Sequence, residues 1–126
     1  MSKSKTLSMP FKFEKLEVWK KSLDLTLTVH DVTRKFPKEE IYILSSQIKR
    51  ASDSVALNIA EGSTGQTDPE YRRFIGIAMR SNIEVVGCIF IAQKRNMISV
   101  EDFEDIYQRC EEIHRMLVGL RNSLKG

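Results

Sequence analysis

Apolar residues recur along the chain at intervals of three and four, the spacing that puts them on one face of an α-helix. No alternating apolar and polar run is long enough to indicate a strand. The pattern predicts four helices, over residues of about 13–35, 39–61, 68–95 and 100–124. Because short connections make consecutive helices antiparallel, we expect an all-α, up-down-up-down four-helix bundle over residues 11–126, after a polar, basic tail over residues 1–10.

Residues with strong local preferences mark where the helices begin and end. Pro37 ends the first helix, and Gly62 is a suitable C-terminal glycine for the second. Thr67 is expected to cap the third helix, which ends before a left-handed Asn96. Ser99 then caps the fourth helix, whose first turn is rich in acidic residues that the helix dipole favours.

The first and third helices have more apolar surface than one bundle can bury. The first helix has one stripe of Leu16, Trp19, Leu23, Leu27 and His30, and a second stripe on nearly the opposite side. The third helix has a flanking row beside its core stripe. We therefore predict a homo-oligomer whose interface is formed by the second stripe and this row: Val18, Leu25, Val29, Val32, Phe36, Met79, Ile83 and Phe90. The alternative is a single wide core and a shifted helix phase.

The second helix has a row of small residues on one flank and a row of polar residues on the other. The small row, Ser45, Ser52, Ala56 and Ala60, allows a close approach of another helix, and Gly76 and Gly87 in the third helix are expected to do the same. The polar row beside the core predicts residues that set the register between helices or subunits, namely Gln47, Ser54, Asn58 and Glu61, with Glu84 on the third helix. Arg50 also lies in this row, so it faces either a subunit or a phosphate.

The charge is distributed unevenly. The net charge is +3, yet residues 1–21 alone contain six lysines and two glutamates. Such a basic segment suits an acidic partner such as nucleic acid, although solvated lysines are also ordinary on a surface helix. The longest apolar run, "VVGCIFIA", is far too short to span a bilayer, so we expect a cytoplasmic protein without a membrane anchor. Cys88 and Cys110 fall on apolar helical positions and are expected to be buried thiols.

The residues that could do chemistry do not form a recognisable active site. Glu111 and His114 have the spacing found in di-metal helix bundles, but those sites need the pair twice and the chain has one copy. The segment "EGSTG" lacks the lysine of a phosphate-binding loop, and no serine or cysteine has a recognisable base. We expect no metal, no cofactor and no enzymatic activity.

Three segments, "FEKLEVWKKSLDL", "FPKEEIYILSSQIKRASDSVALNIAEGS" and "EYRRFIGIAMRSNIEVV", together with the amphipathic last helix, resemble the bacterial four-helix-bundle family of the 23S ribosomal RNA intervening-sequence protein. The resemblance covers residues 11–124. Members of that family are similar in fold to the accessory protein of diversity-generating retroelements, a five-fold barrel that binds a reverse transcriptase and nucleic acid. The resemblance therefore implies a ring-like assembly, a homopentamer, and a non-enzymatic role with RNA or DNA and a nucleic-acid enzyme as partners.

Three positions depart from the pattern of that family. Ile43 and Arg80 stand where glycine is usual, and Asp53 stands where a small or apolar residue is usual. Arg80 either pairs with Glu84 one turn on or enlarges a basic patch. The leading hypothesis is a scaffold that binds phosphate through Lys49, Arg50, Arg72, Arg73 and Arg80 together with the N-terminal lysines. The alternative is a protein-only adaptor that binds no nucleic acid.

Overall fold

The computed structural model describes residues 10–64 and 67–125. Within these residues it contains four α-helices and no strand, as the apolar spacing predicted. They are α1 (Glu17–Thr33), α2 (Leu44–Gly62), α3 (Asp68–Lys94) and α4 (Val100–Asn122). Two short 3-10 turns, Lys12–Lys15 and Lys38–Glu40, precede α1 and α2. The predicted polar tail lies almost wholly outside the described residues.

Each helix packs against two neighbours in the cyclic order α1, α2, α3, α4, and the diagonal pairs make no backbone contact among the described residues. Contacts between α3 and α4 pair Asn82 with Cys110 and Phe90 with Phe103, so the two helices are antiparallel. The pairs Gln47–Glu84 and Ser54–Ser81 show in the same way that α2 and α3 are antiparallel. The packing is that of an up-down bundle around one apolar core.

The predicted caps of α3 and α4 are confirmed. The Thr67 hydroxyl accepts a hydrogen bond from the backbone N–H of Glu70, and the Ser99 hydroxyl accepts one from Asp102. Asn96 has a φ of 58°, the left-handed conformation expected after α3. Local sequence rules sufficed here because each cap needs only residues within one turn of the helix end.

The predicted starts of α1 and α2 were wrong. The first helix does not run from residue 13, because Leu16 is extended and separates the turn Lys12–Lys15 from α1. The second does not run from residue 39, because Ile41–Ile43 form an irregular turn. The Glu40 carboxylate accepts a hydrogen bond from the Leu44 N–H, which satisfies a donor at the first turn of α2. One consequence is that Ile41 is exposed.

The two stripes of α1 were assigned to the wrong sides. The residues predicted for an oligomer interface on this helix and its C-terminal extension lie in the core of the bundle: Val18, Leu25, Val29, Val32 and Phe36. Met79 of α3, also predicted for the interface, is buried in the same core. The exposed apolar residues of α1 are Leu23 and Leu27 from the other stripe. Because the two stripes are about equally apolar, the pattern could not say which one faces α2 and α4.

The sequence correctly predicted that α2 ends at Gly62, but it assigned the close helix contact to the wrong glycines. Gly62 is the last helical residue of α2, and a Cβ there would lie 2.8 Å from the Phe74 Cβ, so this glycine allows α3 to approach closely. Gly76 and Gly87, predicted to serve a close approach, have no atom within 4 Å of such a Cβ. Cys88 and Cys110 are free and buried, as predicted.

Candidate nucleic-acid interface

The five basic residues of the hypothesis fall into two separate groups. Gly62 packs on Phe74, which places Arg72 and Arg73 beside the C-terminal end of α2. Lys49 and Arg50 lie about 12 residues earlier on α2, which is roughly 18 Å along the helix axis. The structure therefore does not bring all five side chains into one patch.

Arg72 and Arg73 already have partners in the protein. The half-buried Arg72 guanidinium donates hydrogen bonds to the carbonyl oxygens of Arg121 (2.6 Å) and Leu124 (3.5 Å) and so caps the C-terminal end of α4. Arg73 is exposed and pairs with Glu70 at 2.7 Å, and its guanidinium lies 4.7 Å from the centroid of the Phe74 ring. The hydrogen bond from Arg73 lowers the pKa of the Glu70 carboxyl. A phosphate at this place would compete with these contacts.

Lys49, Arg50 and Arg80 make no ion pair with any described residue. The predicted pairing of Arg80 with Glu84 is absent, and Glu84 instead accepts a hydrogen bond from the Gln47 amide at 3.4 Å. Arg50 lies between Gln47 and Ser54 on α2 and lines a depression with Ser81 and Glu84, so it lies at the contact between α2 and α3, here called the α2–α3 seam. Arg80 is exposed and directly precedes Ser81 on α3, so it lies beside this seam. Arg50 donates to the Ser46 hydroxyl at 3.3 Å and is otherwise exposed.

The polar row of α2 forms a hydrogen-bonded network along this seam. The hydroxyls of Ser54 and Ser81 are 2.8 Å apart, and the Asn58 amide donates to both the carbonyl and the hydroxyl oxygen of Ser54. Glu61 is exposed and makes no contact of this kind with the described residues. Residues 47, 54, 58 and 84 thus occupy positions suited to setting helix register. Three of them, Gln47, Ser54 and Glu84, line an open depression of about 170 Å³ together with Arg50.

Two apolar faces remain exposed on opposite sides of the bundle. On the α3–α4 side, Ile83 and Phe90 are exposed, as predicted, and Phe90 packs edge-on against Phe103 and Tyr107 at centroid distances of 5.1 and 6.3 Å. On the α1–α2 side, Leu23, Leu27 and Leu57 are exposed. The α1–α2 face was missed because the stripe that contains Leu23 and Leu27 was assigned to the core and Leu57 was not singled out.

Asn82 is a buried polar residue that sequence reasoning did not single out. Its side chain is 1% exposed, and its amide donates to the Cys110 carbonyl at 2.8 Å. The amide oxygen has no partner among the described residues. A groove of about 260 Å³ beside it is lined mainly by apolar atoms, with Ile83, Tyr107 and His114 at its edge.

Burial raises the pKa of both cysteine thiols. It raises the pKa of Cys88 to about 11, with a smaller contribution from Glu84, and the pKa of Cys110 to about 12. Such thiols are poor nucleophiles at neutral pH. Within the described part of the chain, no three His, Cys, Asp or Glu residues are grouped as a metal ion would require. By length and composition alone α3 could cross a membrane, but a helix packed inside a bundle meets the same criteria.

Comparisons with known proteins agree with this architecture. The sequence model of the family described as "23S rRNA-intervening sequence protein" matches residues 14–119. A solved structure from Bacteroides thetaiotaomicron, described as a protein of unknown function from the S23 ribosomal protein family, is similar with a TM-score of 0.75 and 21% identity. The similarity covers 82% of this chain and 97% of that one, and at this identity it shows the fold alone. No curated protein matches the chain.

Proposed function

The chain belongs to the family of the 23S rRNA-intervening sequence protein, as its motifs predicted, and from this membership we propose that it is a non-enzymatic, oligomeric scaffold that binds nucleic acid or a ribonucleoprotein partner. The proposal has two parts, an assembly through the apolar faces and a binding surface along the α2–α3 seam. Each part is supported by a different set of side chains.

The two apolar faces support a cyclic assembly. They lie on opposite sides of the bundle and differ in composition, since leucines dominate the α1–α2 face and aromatic residues dominate the α3–α4 face. Two unlike faces that bind each other form a head-to-tail contact, which closes into a ring when the rotation between subunits is a simple fraction of a turn. The family resemblance favours five subunits.

Unpaired cations on the α2–α3 seam are the observation on which nucleic-acid binding rests. On the opposite seam, between α1 and α4, the charges neutralise each other across the helices, with Lys21–Glu112 at 3.4 Å and Lys35–Asp102 at 2.8 Å. Arg50 on this seam and the exposed Arg80 beside it lack such partners among the described residues, and so does Lys49 on the side of α2 that faces α1. In a ring whose contacts use the two apolar faces, every α2–α3 seam lies on the same side, so the cations repeat around it. Repetition of weak phosphate contacts raises the overall affinity.

The test combines light scattering with binding to a labelled RNA at low salt. We expect the wild-type protein to be an oligomer and to bind, with an affinity that falls steeply as salt rises. Reversing Arg50 and Arg80 together to glutamate should weaken binding at least about tenfold and leave the mass unchanged. As a matched control, the same reversal at Arg115, an exposed residue of α4 that pairs with Glu111, should have little effect.

Leu27→Glu tests the assembly, because Leu27 is 61% exposed and lies in the α1–α2 face. We expect a smaller particle with unchanged helix content. A wild-type monomer would contradict the ring. An oligomer that binds no RNA or DNA at low salt would contradict nucleic-acid binding and favour the protein-only adaptor, whose partner capture should survive nuclease treatment.

A further inference from the structure

Two adjoining open depressions lie where the C-terminal end of α1 meets the start of α2. Their volumes are about 360 and 450 Å³, and His30, Ile41 and Lys49 line both of them. The first extends to Arg34 and Lys38, and the second to Tyr42, Arg50 and Asp53. We refer to the pair as the Tyr42 trough. Two compartments in a row suit an elongated ligand better than a compact one.

The charge of the Tyr42 trough is mainly positive. Lys38, Lys49 and Arg50 have no ion-pair partner among the described residues, while Arg34 pairs with Asp31. The one carboxylate in the lining, Asp53, lies 3.8 Å from the imidazole of His30. Three free cations beside one carboxylate favour a ligand with repeated negative charge.

Tyr42 gives the trough an aromatic surface. It is 93% exposed, and its neighbours Ile41 and Ile43 are exposed as well. This exposure follows from the fold, because the irregular turn before α2 keeps these three residues out of the helix and away from the core. A tyrosine ring open to solvent next to cations is the combination on which unpaired bases stack while their phosphates are neutralised. In a duplex the faces of the bases are already covered.

We propose that the Tyr42 trough binds single-stranded nucleic acid, with Tyr42 stacking on a base and Lys38, Lys49 and Arg50 neutralising the flanking phosphates. This inference rests on the proposed function and makes it specific, since it names the strandedness of the ligand and an aromatic contact that charge alone does not provide.

The test compares a fluorescein-labelled single-stranded 12-nucleotide RNA with the duplex of the same sequence, by anisotropy at low salt. Tyr42→Ala should weaken single-strand binding about 5- to 100-fold, the range found for loss of one stacked base. Tyr42→Phe retains a ring and should stay within about twofold of wild type. Duplex binding should change less than about twofold in both variants, because a duplex presents no unstacked base to the ring.

The salt dependence separates stacking from charge. Tyr42→Ala should keep the wild-type slope of affinity against salt, whereas Lys49→Gln should lower it by about one. Unchanged single-strand affinity in Tyr42→Ala, with binding still sensitive to Arg50 and Arg80, would overturn the trough and leave the proposed function standing. Polyglutamate can also be used as a competitor for the bound single-stranded RNA. If the same concentration of polyglutamate displaces the RNA from wild type and from Tyr42→Ala, the proposal for the Tyr42 trough would also be overturned. No binding by the wild type would overturn the proposed function itself.

Discussion

The α2–α3 seam and the α3–α4 seam share one helix but are closed in different ways. Between α2 and α3 the side chains are short, so that two serine hydroxyls meet directly and Gly62 lets the helices approach. Between α3 and α4 large aromatic rings pack at the edge, and one buried amide, Asn82, bonds to the backbone of the other helix. The outer surface of the α2–α3 seam is polar and basic, whereas that of the α3–α4 seam is an exposed apolar groove.

The difference indicates which of the two surfaces needs a second subunit to cover its apolar side chains. The polar groups of the α2–α3 seam satisfy one another and leave cations facing solvent. The α3–α4 seam leaves Ile83, Phe90 and Tyr107 exposed, a cost that burial against a second subunit would remove. This contrast supports the proposal that the α3–α4 seam takes part in assembly and that the cations at the α2–α3 seam remain available to a ligand.

The largest effect is expected from Asn82→Asp in the α3–α4 seam. A carboxylate there would be buried beside the Cys110 carbonyl without a cation, which should lower the free energy of unfolding by about 3–5 kcal/mol at neutral pH. Burial would raise the pKa of this carboxyl, so the loss should shrink as pH falls and the group is protonated. Urea unfolding at pH 7 and pH 4.5, relative to wild type, measures both quantities.

Asn122→Asp is the control for this variant, because Asn122 is exposed at the end of α4 and should cost less than about 1 kcal/mol. Equal losses at the two positions would mean that Asn82 is accessible to water and that the α3–α4 seam is not closed around it.

Gly62→Ala tests the close approach in the α2–α3 seam. The added methyl would meet the Phe74 Cβ at 2.8 Å and the Tyr71 ring at 3.0 Å, and neither the Phe74 Cβ nor its backbone can move freely. We expect a loss of about 1–3 kcal/mol in the free energy of unfolding, measured by urea denaturation.

Gly87→Ala is the matched control, since its new methyl would meet nothing within 4 Å. It should stabilise the protein by up to about 1 kcal/mol because alanine favours the helix. A stabilising Gly62→Ala would show that the two helices can separate slightly at no cost.

The two glycines also show what the sequence could and could not predict. Thr67, Ser99 and Asn96 were assigned correctly because a cap depends on its own turn. Whether a glycine allows a close helix contact depends on what lies opposite it, and nothing in the sequence shows that Gly62 has this role while Gly76 and Gly87 do not. Leu25 and Leu27 raise the same difficulty, because they are equally apolar and yet Leu25 is fully buried and Leu27 is exposed. Only the packing of α1 against α2 and α4 distinguishes them.

The candidate site was predictable to a similar extent. The sequence proposed Lys49, Arg50, Arg72, Arg73 and Arg80 as one set, and it could not show that the Arg72 guanidinium caps α4 from another part of the chain. Tyr42 was missed because a helix starting at residue 39 gave it no special position. Its exposure depends on the turn at Ile41–Ile43, which no periodic pattern indicates and across which the Glu40 carboxylate accepts a hydrogen bond from the Leu44 N–H.

Alkaline pH should weaken the α3–α4 seam through Cys110. Its pKa rises from 9.0 to about 12 in the folded protein, so between pH 9 and 12 the thiol ionises only in the unfolded chain. The contribution of this thiol to stability is complete below pH 9 and should fall by about 1.4 kcal/mol for each pH unit above it. Urea unfolding of wild type and Cys110→Ser at pH 8, 9 and 10 isolates this effect, because tyrosines and lysines titrate in both. A constant difference between the two proteins would mean that the thiol is not shielded from water.

The smallest effect is expected at the hydroxyl pair of the α2–α3 seam. Ser54→Ala and Ser81→Ala should each cost about 1 kcal/mol, because each removes a hydrogen bond of 2.8 Å at a partly buried site. The double variant should cost less than the sum by about 0.5–1 kcal/mol, since the same bond is lost once. Ser46→Ala is the control on α2, because among the described residues its hydroxyl is hydrogen-bonded only to Arg50 on the same helix, so its removal should be nearly neutral. Strictly additive costs would show that the two hydroxyls bond to water and not to each other, and the α2–α3 seam would then be held by its small apolar side chains alone.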